Sequence, residues 1–270
     1  MKECRLAPKA VCCFVAFCCL CLRLAAQVPM ECATEGTEKQ YRICNRKGTA
    51  IGYGRSVAER CVKSGDTLVV TQLEYEFDEH HSPLKDEFGN VLPPDTTRVR
   101  IVAGEVIYPY AELLGGMLGR VWNTPEQLEA LRAKGQAYRY ELRGDSDYRI
   151  PHDMTVGDTL SRFCQRDELY SLKKGKCIVD SSLEVITYVA DREMLVTPAG
   201  RFDCFKLITV FSGESKVAFF RLRDRGAMAV WVASGIGFVR MGETDRKGRM
   251  KDGYMELLSI KTAEAPQSAQ

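Results

Sequence analysis

Histidine and tryptophan are scarce in this chain, with three and two copies in 270 residues. The histidines are His80, His81 and His152, so sites built on imidazole, whether for metal or for proton transfer, have few candidates. His80 and His81 lie among Asp78, Glu79, Asp86 and Glu87, but neighbours on an extended chain point to opposite sides. A solvated acidic loop is the better reading, and His152, after Pro151, has no partner suggested by spacing. There is no G-x-S-x-G, and Ser234 falls in an Ala233-Ser234-Gly235 hairpin turn. Gly115–Gly119 lacks the lysine-serine ending of a phosphate loop. Asp145, Asp147 and Asp158 sit beside Gly144 or Gly157 as turn residues do. Cys204 would need a histidine or cation to become a nucleophile, and only Lys206 shares its face. No catalytic residue, cofactor or metal is expected, and the chain reads as no enzyme.

One-signed charge is missing too. The whole chain carries a formal +2, and Lys2, Arg5, Lys9 and Arg23, against Glu3, sit in the first 26 residues, leaving −1 for the rest. Such balance gives no support for nucleic-acid binding, which shows as a basic excess. No apolar run reaches the roughly 20 residues of a spanning helix. The longest, Ala10–Leu22, has thirteen. With cations before it and Ala25-Ala26 after it, it reads as a signal peptide cleaved near Ala26. The mature chain is expected to be periplasmic or secreted, without a transmembrane segment.

Six of the twelve cysteines leave with that signal. Cys32, Cys44, Cys61, Cys164, Cys177 and Cys204 remain, an even number that favours disulfides in an oxidising compartment. No C-x-x-C follows residue 26, which argues against a zinc ribbon or thioredoxin-like site.

What is present is β-pattern. Lys39–Phe77 reads as three strands separated by turns at Asn45–Gly48 and Lys63–Asp66. Asp78–Asp95, with Pro83, Pro93 and Pro94, reads as a long surface loop. Val99–Tyr108 is a strand. A helical segment near 110–134 contains the apolar Tyr110–Leu118 and a second helix, with Thr124 as cap and Pro125 at its first position, closing at Lys134-Gly135. From Ala137 onward strands follow one another, with expected turns at Lys173–Gly175 and Arg223–Gly226. In Phe202–Phe211 one parity gives Phe202, Cys204, Ile208 and Val210, and the other Phe205, Leu207 and Phe211. Both faces are apolar, so both must be covered. The fold class expected is mainly β: a strongly curved antiparallel sheet or half-barrel with a short helix packed on it. It forms one domain over 28–262, followed by a disordered tail at 263–270. Trp231 and Phe238 should pack the core across their hairpin.

Four phrases recur in order: Val156-Gly157-Asp158; Thr197-Pro198-Ala199-Gly200-Arg201-Phe202-Asp203-Cys204; Trp231…Gly235-Ile236-Gly237-Phe238-Val239-Arg240; and a last strand after Lys247-Gly248. Over residues 148–261 they resemble a group of secreted Bacteroidota β-domains of unknown function, the TapB-like proteins. The resemblance implies an extracytoplasmic β-sheet domain and no established activity.

Composition and export thus favour a non-enzymatic envelope protein binding a lipid-like apolar ligand or another envelope component. The alternative is a structural or assembly factor whose Asp78–Asp95 loop meets a protein partner, and an enzyme of unrecognised type comes third. One disulfide follows from register. If Asn45–Gly48 turns the first hairpin, paired residue numbers sum to about 93, so Cys44 and Cys61 lie far out of register. Cys32 falls opposite Cys61.

Overall fold

β-Branched and aromatic residues between short polar turns make nearly all of this chain extended. The computed structural model describes residue 31 and residues 33–109, 125–144, 147–217, 220–245 and 248–262. The expected signal peptide with its cleavage point, Cys32, the Tyr110–Leu118 helix, the Gly115–Gly119 run, the Thr124 cap, Asp145 and the 263–270 tail lie outside these residues. The strands are β1 (Glu38–Cys44), β2 (Ala50–Ser64), β3 (Thr67–Asp78), β4 (Asp95–Val102), β5 (Glu105–Pro109), β6 (Gln136–Gly144), β7 (Asp147–Ile150), β8 (Thr159–Ser171), β9 (Lys176–Thr197), β10 (Gly200–Val217), β11 (Phe220–Ala233), β12 (Gly237–Thr244) and β13 (Met250–Lys261). Among the described residues one helix, α1 (Pro125–Ala133), precedes β6 and packs beside it, with Leu131 buried.

All thirteen strands form one antiparallel sheet in the order β6-β8-β9-β10-β11-β12-β13-β1-β2-β3-β4-β5-β7. Its two edges, β6 and β7, are consecutive in sequence: β6 ends at Gly144 and β7 begins at Asp147. Three Cα steps of 3.8 Å reach about 11 Å at most. The sheet must therefore curl until the end of β6 and the start of β7 come within that distance, as the strongly curved sheet expected from sequence requires, although among the described residues no hydrogen-bonded ladder joins β6 to β7. At this seam Gly144 has φ +97°, and a Cβ there would lie 2.4 Å from the Arg162 carbonyl oxygen and 2.9 Å from Phe163 Cα.

The two parities of the central strands build two cores. Val70, Val99, Val106, Tyr148, Ile150, Phe163, Val185, Leu207, Val230 and Val232 fill the inner side. Tyr41, Leu195, Cys204, Ile208, Trp231, Val239 and Leu257 form the second, where the end of β9 approaches β13. The two parities read from Phe202–Phe211 divide between these cores as expected.

Several local expectations need correction. Val99–Tyr108 is two strands, because Ala103 and Gly104 take positive φ (50° and 83°) and turn the chain. Arg223–Gly226 is no turn but the middle of β11, paired with Phe211–Glu214. Gly226 is there for closeness: a Cβ would sit 2.1 Å from the Phe211 ring. Trp231 and Phe238 both pack in the core as expected, and a bulge after Trp231, which pairs Phe238 with Val232, puts the two rings in different cores. Trp231 is buried, at 4% exposure.

The first hairpin also shifts. Asn45 Oδ1 accepts hydrogen bonds from the Lys47 and Thr49 amides, and a bulge after Ile43 places Cys44 opposite Ala50, so later pairs sum to 95 rather than 93. The regular ladder stops at Glu38, but the Cys61 thiol donates to the Ala33 carbonyl at 3.2 Å. Ala33 is bonded to Cys32. We expect non-reducing peptide mapping to join Cys32 to Cys61, a link worth about 3–4 kcal/mol for a loop of about 30 residues. Cys32 found alkylated, or joined elsewhere, contradicts this. Among the described residues no helix is long and apolar enough to cross a membrane.

Candidate ligand-binding face

Strands β8–β11 run well past the inner core, and with β6 they form a flap whose two faces differ sharply. Its outer face carries rows of mixed charge directly across the strands: Arg139–Glu168–Asp180–Lys216–Arg221, then Glu141–Arg166–Ser182–Glu214–Arg223. Arg166 donates to Asp180 at 3.0 and 3.1 Å, and Arg223 to Glu214 at 3.0 Å. These contacts hold the carboxyls of Asp180 and Glu214 below their usual range. A shallow groove of about 300 Å³ opens on this face between Glu141, Arg143, Cys164, Arg166, Asp180, Ser182 and Lys216. Its charges are satisfied by cross-strand partners, as on an ordinary solvated sheet face.

The inner face of the same flap should be equally polar if it only met water. Instead, the row furthest from the core reads Tyr138–Leu169–Val179–Val217–Phe220. Tyr138, Leu169 and Val179 are half-buried, while Val217 and Phe220 are 38% and 74% exposed. Two rows further in on the same parity, Leu142 and Leu183, aligned with Gln165, Gly213 and Asp224, lead towards Phe163 and Val185 of the inner core. Between these rows lies a narrow polar strip. Tyr138 donates its hydroxyl to Asp167, Gln165 donates to the same carboxylate at 2.8 Å, and the Ser181 and Ser215 hydroxyls pair at 2.8 Å. A mostly apolar concave surface with a few convergent polar groups is the usual composition of a small-molecule site.

Two buried polar networks explain residues of the recurring phrases. Arg240, paired directly with Trp231, donates to Glu256 from Nε at 3.2 Å and to the Val196 carbonyl at 3.2 Å. Arg42 Nε approaches Glu256 from the other side at 2.7 Å. Glu256 is 2% exposed, so one sequestered carboxylate holds β12, β13 and β1 while Arg240 ties in the end of β9 before the Thr197–Gly200 turn. Trp231 Nε1 donates to Glu193 at 2.7 Å, with the Lys206 ammonium 4.9 Å from its ring. In the second network, buried Glu31 pairs with Lys39 and accepts the Tyr108 hydroxyl at 2.6 Å. Burial, with the Glu31 charge beside it, pushes the Tyr108 hydroxyl well above its ordinary pKa, and burial raises Tyr41 to about 12. The Glu31 carboxylate fills the space beside Gly237 (φ +85°), where a Cβ would lie 2.3 Å from its Oε2. The second glycine of the G-x-G hairpin thus admits a buried acid. Both networks tie strands together: the first joins β12, β13, β1 and the end of β9, and the second joins Glu31 to β1 and β5.

The residues weighed from sequence are not brought together. His81 stacks on Tyr53 at 3.8 Å, His80 Nε2 faces Glu79 at 3.7 Å, and Asp78 caps the loop through the Ser82 and His80 amides. Among the described residues no group of three histidine, cysteine or acidic side chains is placed to hold a metal ion. Asp158 accepts from the Thr155 amide and hydroxyl at 2.7 and 2.9 Å, and Gly157 donates to the Val189 carbonyl at 2.8 Å, so the V-G-D step docks a turn onto β9. Asp147 accepts from Arg100 at 2.6 Å. Cys204 is fully buried, and burial, followed by the charges of Asp203 and Glu193, pushes its thiol up to about 12. The inner flap was missed in sequence because its signal is divided: Leu169, Val179, Val217 and Phe220 belong to four strands, and only their register unites them.

Comparisons with known proteins agree with this architecture. The model of a DUF3108-like family matches residues 127–257, which include most of α1, the flap and the Trp231–Arg240 hairpin. No curated protein matches the sequence. A candidate lipoprotein from Parabacteroides distasonis ATCC 8503 superposes with a TM-score of 0.54 at 14% identity, covering 87% of this chain and 99% of its own. A candidate exported protein with a YmcC-like fold from Bacteroides fragilis NCTC 9343 gives a TM-score of 0.52 at 16% identity, covering 86% and 98%. At such identities the likeness is one of fold. The matching family model bears the name DUF3108-like rather than TapB-like.

Proposed function

We propose that this is an exported, non-enzymatic β-sheet protein that binds an apolar ligand along the inner face of the β6–β8–β9–β10–β11 flap. The observation that carries the reading is the apolar row Tyr138–Leu169–Val179–Val217–Phe220, which continues the inner core out into solvent. Export is supported by the n-region, apolar run and Ala25-Ala26 of the N-terminus. Cys204 is fully buried and its thiol is pushed up by burial, so this residue of the Thr197–Cys204 phrase fits a packing role. Micromolar affinity corresponds to about 8 kcal/mol. Ten buried methylenes supply that at about 0.8 kcal/mol each, before ordering costs, so an acyl chain needs no charged anchor here. The polar strip of Asp167, Gln165, Ser181 and Ser215 suits a hydroxyl or headgroup within the ligand. The test is titration with a fluorescent fatty-acid probe. Val179→Asp places a charge in the row and is expected to weaken binding at least tenfold with the fold retained. Unchanged binding in this variant contradicts the site.

A second reading has its own observation. The Asp78–Asp95 loop exposes Phe88 (80%), Val91 (58%) and Leu92 (44%), an apolar cluster suited to a protein partner. Cross-linking from a photoreactive residue at position 88 that captures one envelope protein, together with absence of probe binding, favours this reading over the first.

A further inference from the structure

At the end of the flap, β10 ends at Val217 and β11 begins at Phe220, and this end of the hairpin lies beyond either core. Its inner parity presents Phe220 and Leu222, 74% and 64% exposed, beside Val217. The outer parity presents Lys216, Arg221 and Arg223, whose side chains are about half exposed. These three cations share one carboxylate, Glu214, with Arg221 and Arg223 at 3.0 Å and Lys216 at 3.8 Å, while Lys216 also reaches Asp180 at 3.7 Å. Positive charge therefore exceeds negative charge around an apolar tip. An apolar wedge ringed by long cationic side chains suits the boundary between acyl chains and anionic headgroups, where the rings bury and the guanidinium groups meet phosphate. We infer that the β10–β11 hairpin tip docks the protein on an anionic lipid bilayer. This goes beyond ligand binding on the inner face: the two sites share Val217 and Phe220, but Arg221 and Arg223 lie on the opposite parity from the ligand row and belong to docking alone.

The test is co-sedimentation of the protein, purified after export, with phosphatidylglycerol–phosphatidylcholine vesicles and with phosphatidylcholine vesicles alone. Binding to the anionic vesicles is expected to fall at least tenfold on phosphatidylcholine alone, in 0.5 M salt, or in the Arg221→Gln/Arg223→Gln variant. Phe220→Ser/Leu222→Ser should reduce it similarly while circular dichroism stays unchanged, because both side chains are exposed. Arg221→Gln/Arg223→Gln should leave fatty-acid probe binding intact, which separates failure of docking from failure of the ligand reading. Absence of binding to anionic vesicles at low salt, as expected of a tip that meets an acidic protein instead, overturns the inference. Equal binding by wild type and both double variants overturns it as well.

Discussion

Replacing Glu256 with alanine is expected to cost about 3 kcal/mol of folding stability or more. A buried ion pair that loses one partner leaves the other uncompensated, at about 3–5 kcal/mol. Here two arginines are abandoned, Arg42 and Arg240, whose side chains are 34% and 23% exposed, so residual water places the effect at the lower end of that range. Domain stabilities are roughly 5–15 kcal/mol, so the loss is a large fraction of the total. Urea denaturation of wild type, Glu256→Ala and Arg42→Ala measures it. Arg42 is the more exposed arginine, and its loss leaves Arg240 still paired with Glu256, so it should cost less. A change below about 1 kcal/mol for Glu256→Ala contradicts the assignment of this carboxylate as the bolt across β12, β13 and β1.

Gly144→Ala should be nearly as damaging for a different reason. The added methyl would meet backbone, the Arg162 carbonyl at 2.4 Å and Phe163 Cα at 2.9 Å, and backbone in a paired strand cannot swing aside as a side chain can. Overpacking costs about 1–3 kcal/mol, and the φ of +97° adds about 1–2 kcal/mol for any residue with a Cβ. The expected sum is about 2–5 kcal/mol, read from the same denaturation curves. Because Gly144 joins the two edges of the sheet, amide exchange in β6 and β7 should accelerate more than in β1 or β2. Uniform protection across the sheet would show that the seam has no special role.

Local chemistry made much of this fold legible in advance. The Asn45–Gly48 and Lys173–Gly175 turns, the Pro125 start of the helix and the two apolar parities of Phe202–Phe211 all follow from short-range rules, and the structure has them. The misreadings share one physical cause. Gly226 resembles a turn glycine but clears the Phe211 ring on a neighbouring strand, and Ala103 turns the chain although alanine carries no turn signal. A bulge after Ile43 shifts register by a residue or two, which moved the partner of Cys44. The ligand face depends wholly on such register. Leu169, Val179, Val217 and Phe220 are unremarkable in their own strands and become a surface only when four ladders align them.

The central claim, that the inner face of the flap holds an apolar ligand, is tested most directly by native mass spectrometry of the protein purified after export without detergent. The expected spectrum shows a population carrying a lipid-sized adduct that is lost in Val179→Asp and kept in Arg221→Gln/Arg223→Gln. A spectrum of bare protein from wild type, unchanged after incubation with fatty acid, contradicts the claim and leaves the exposed row to a protein partner.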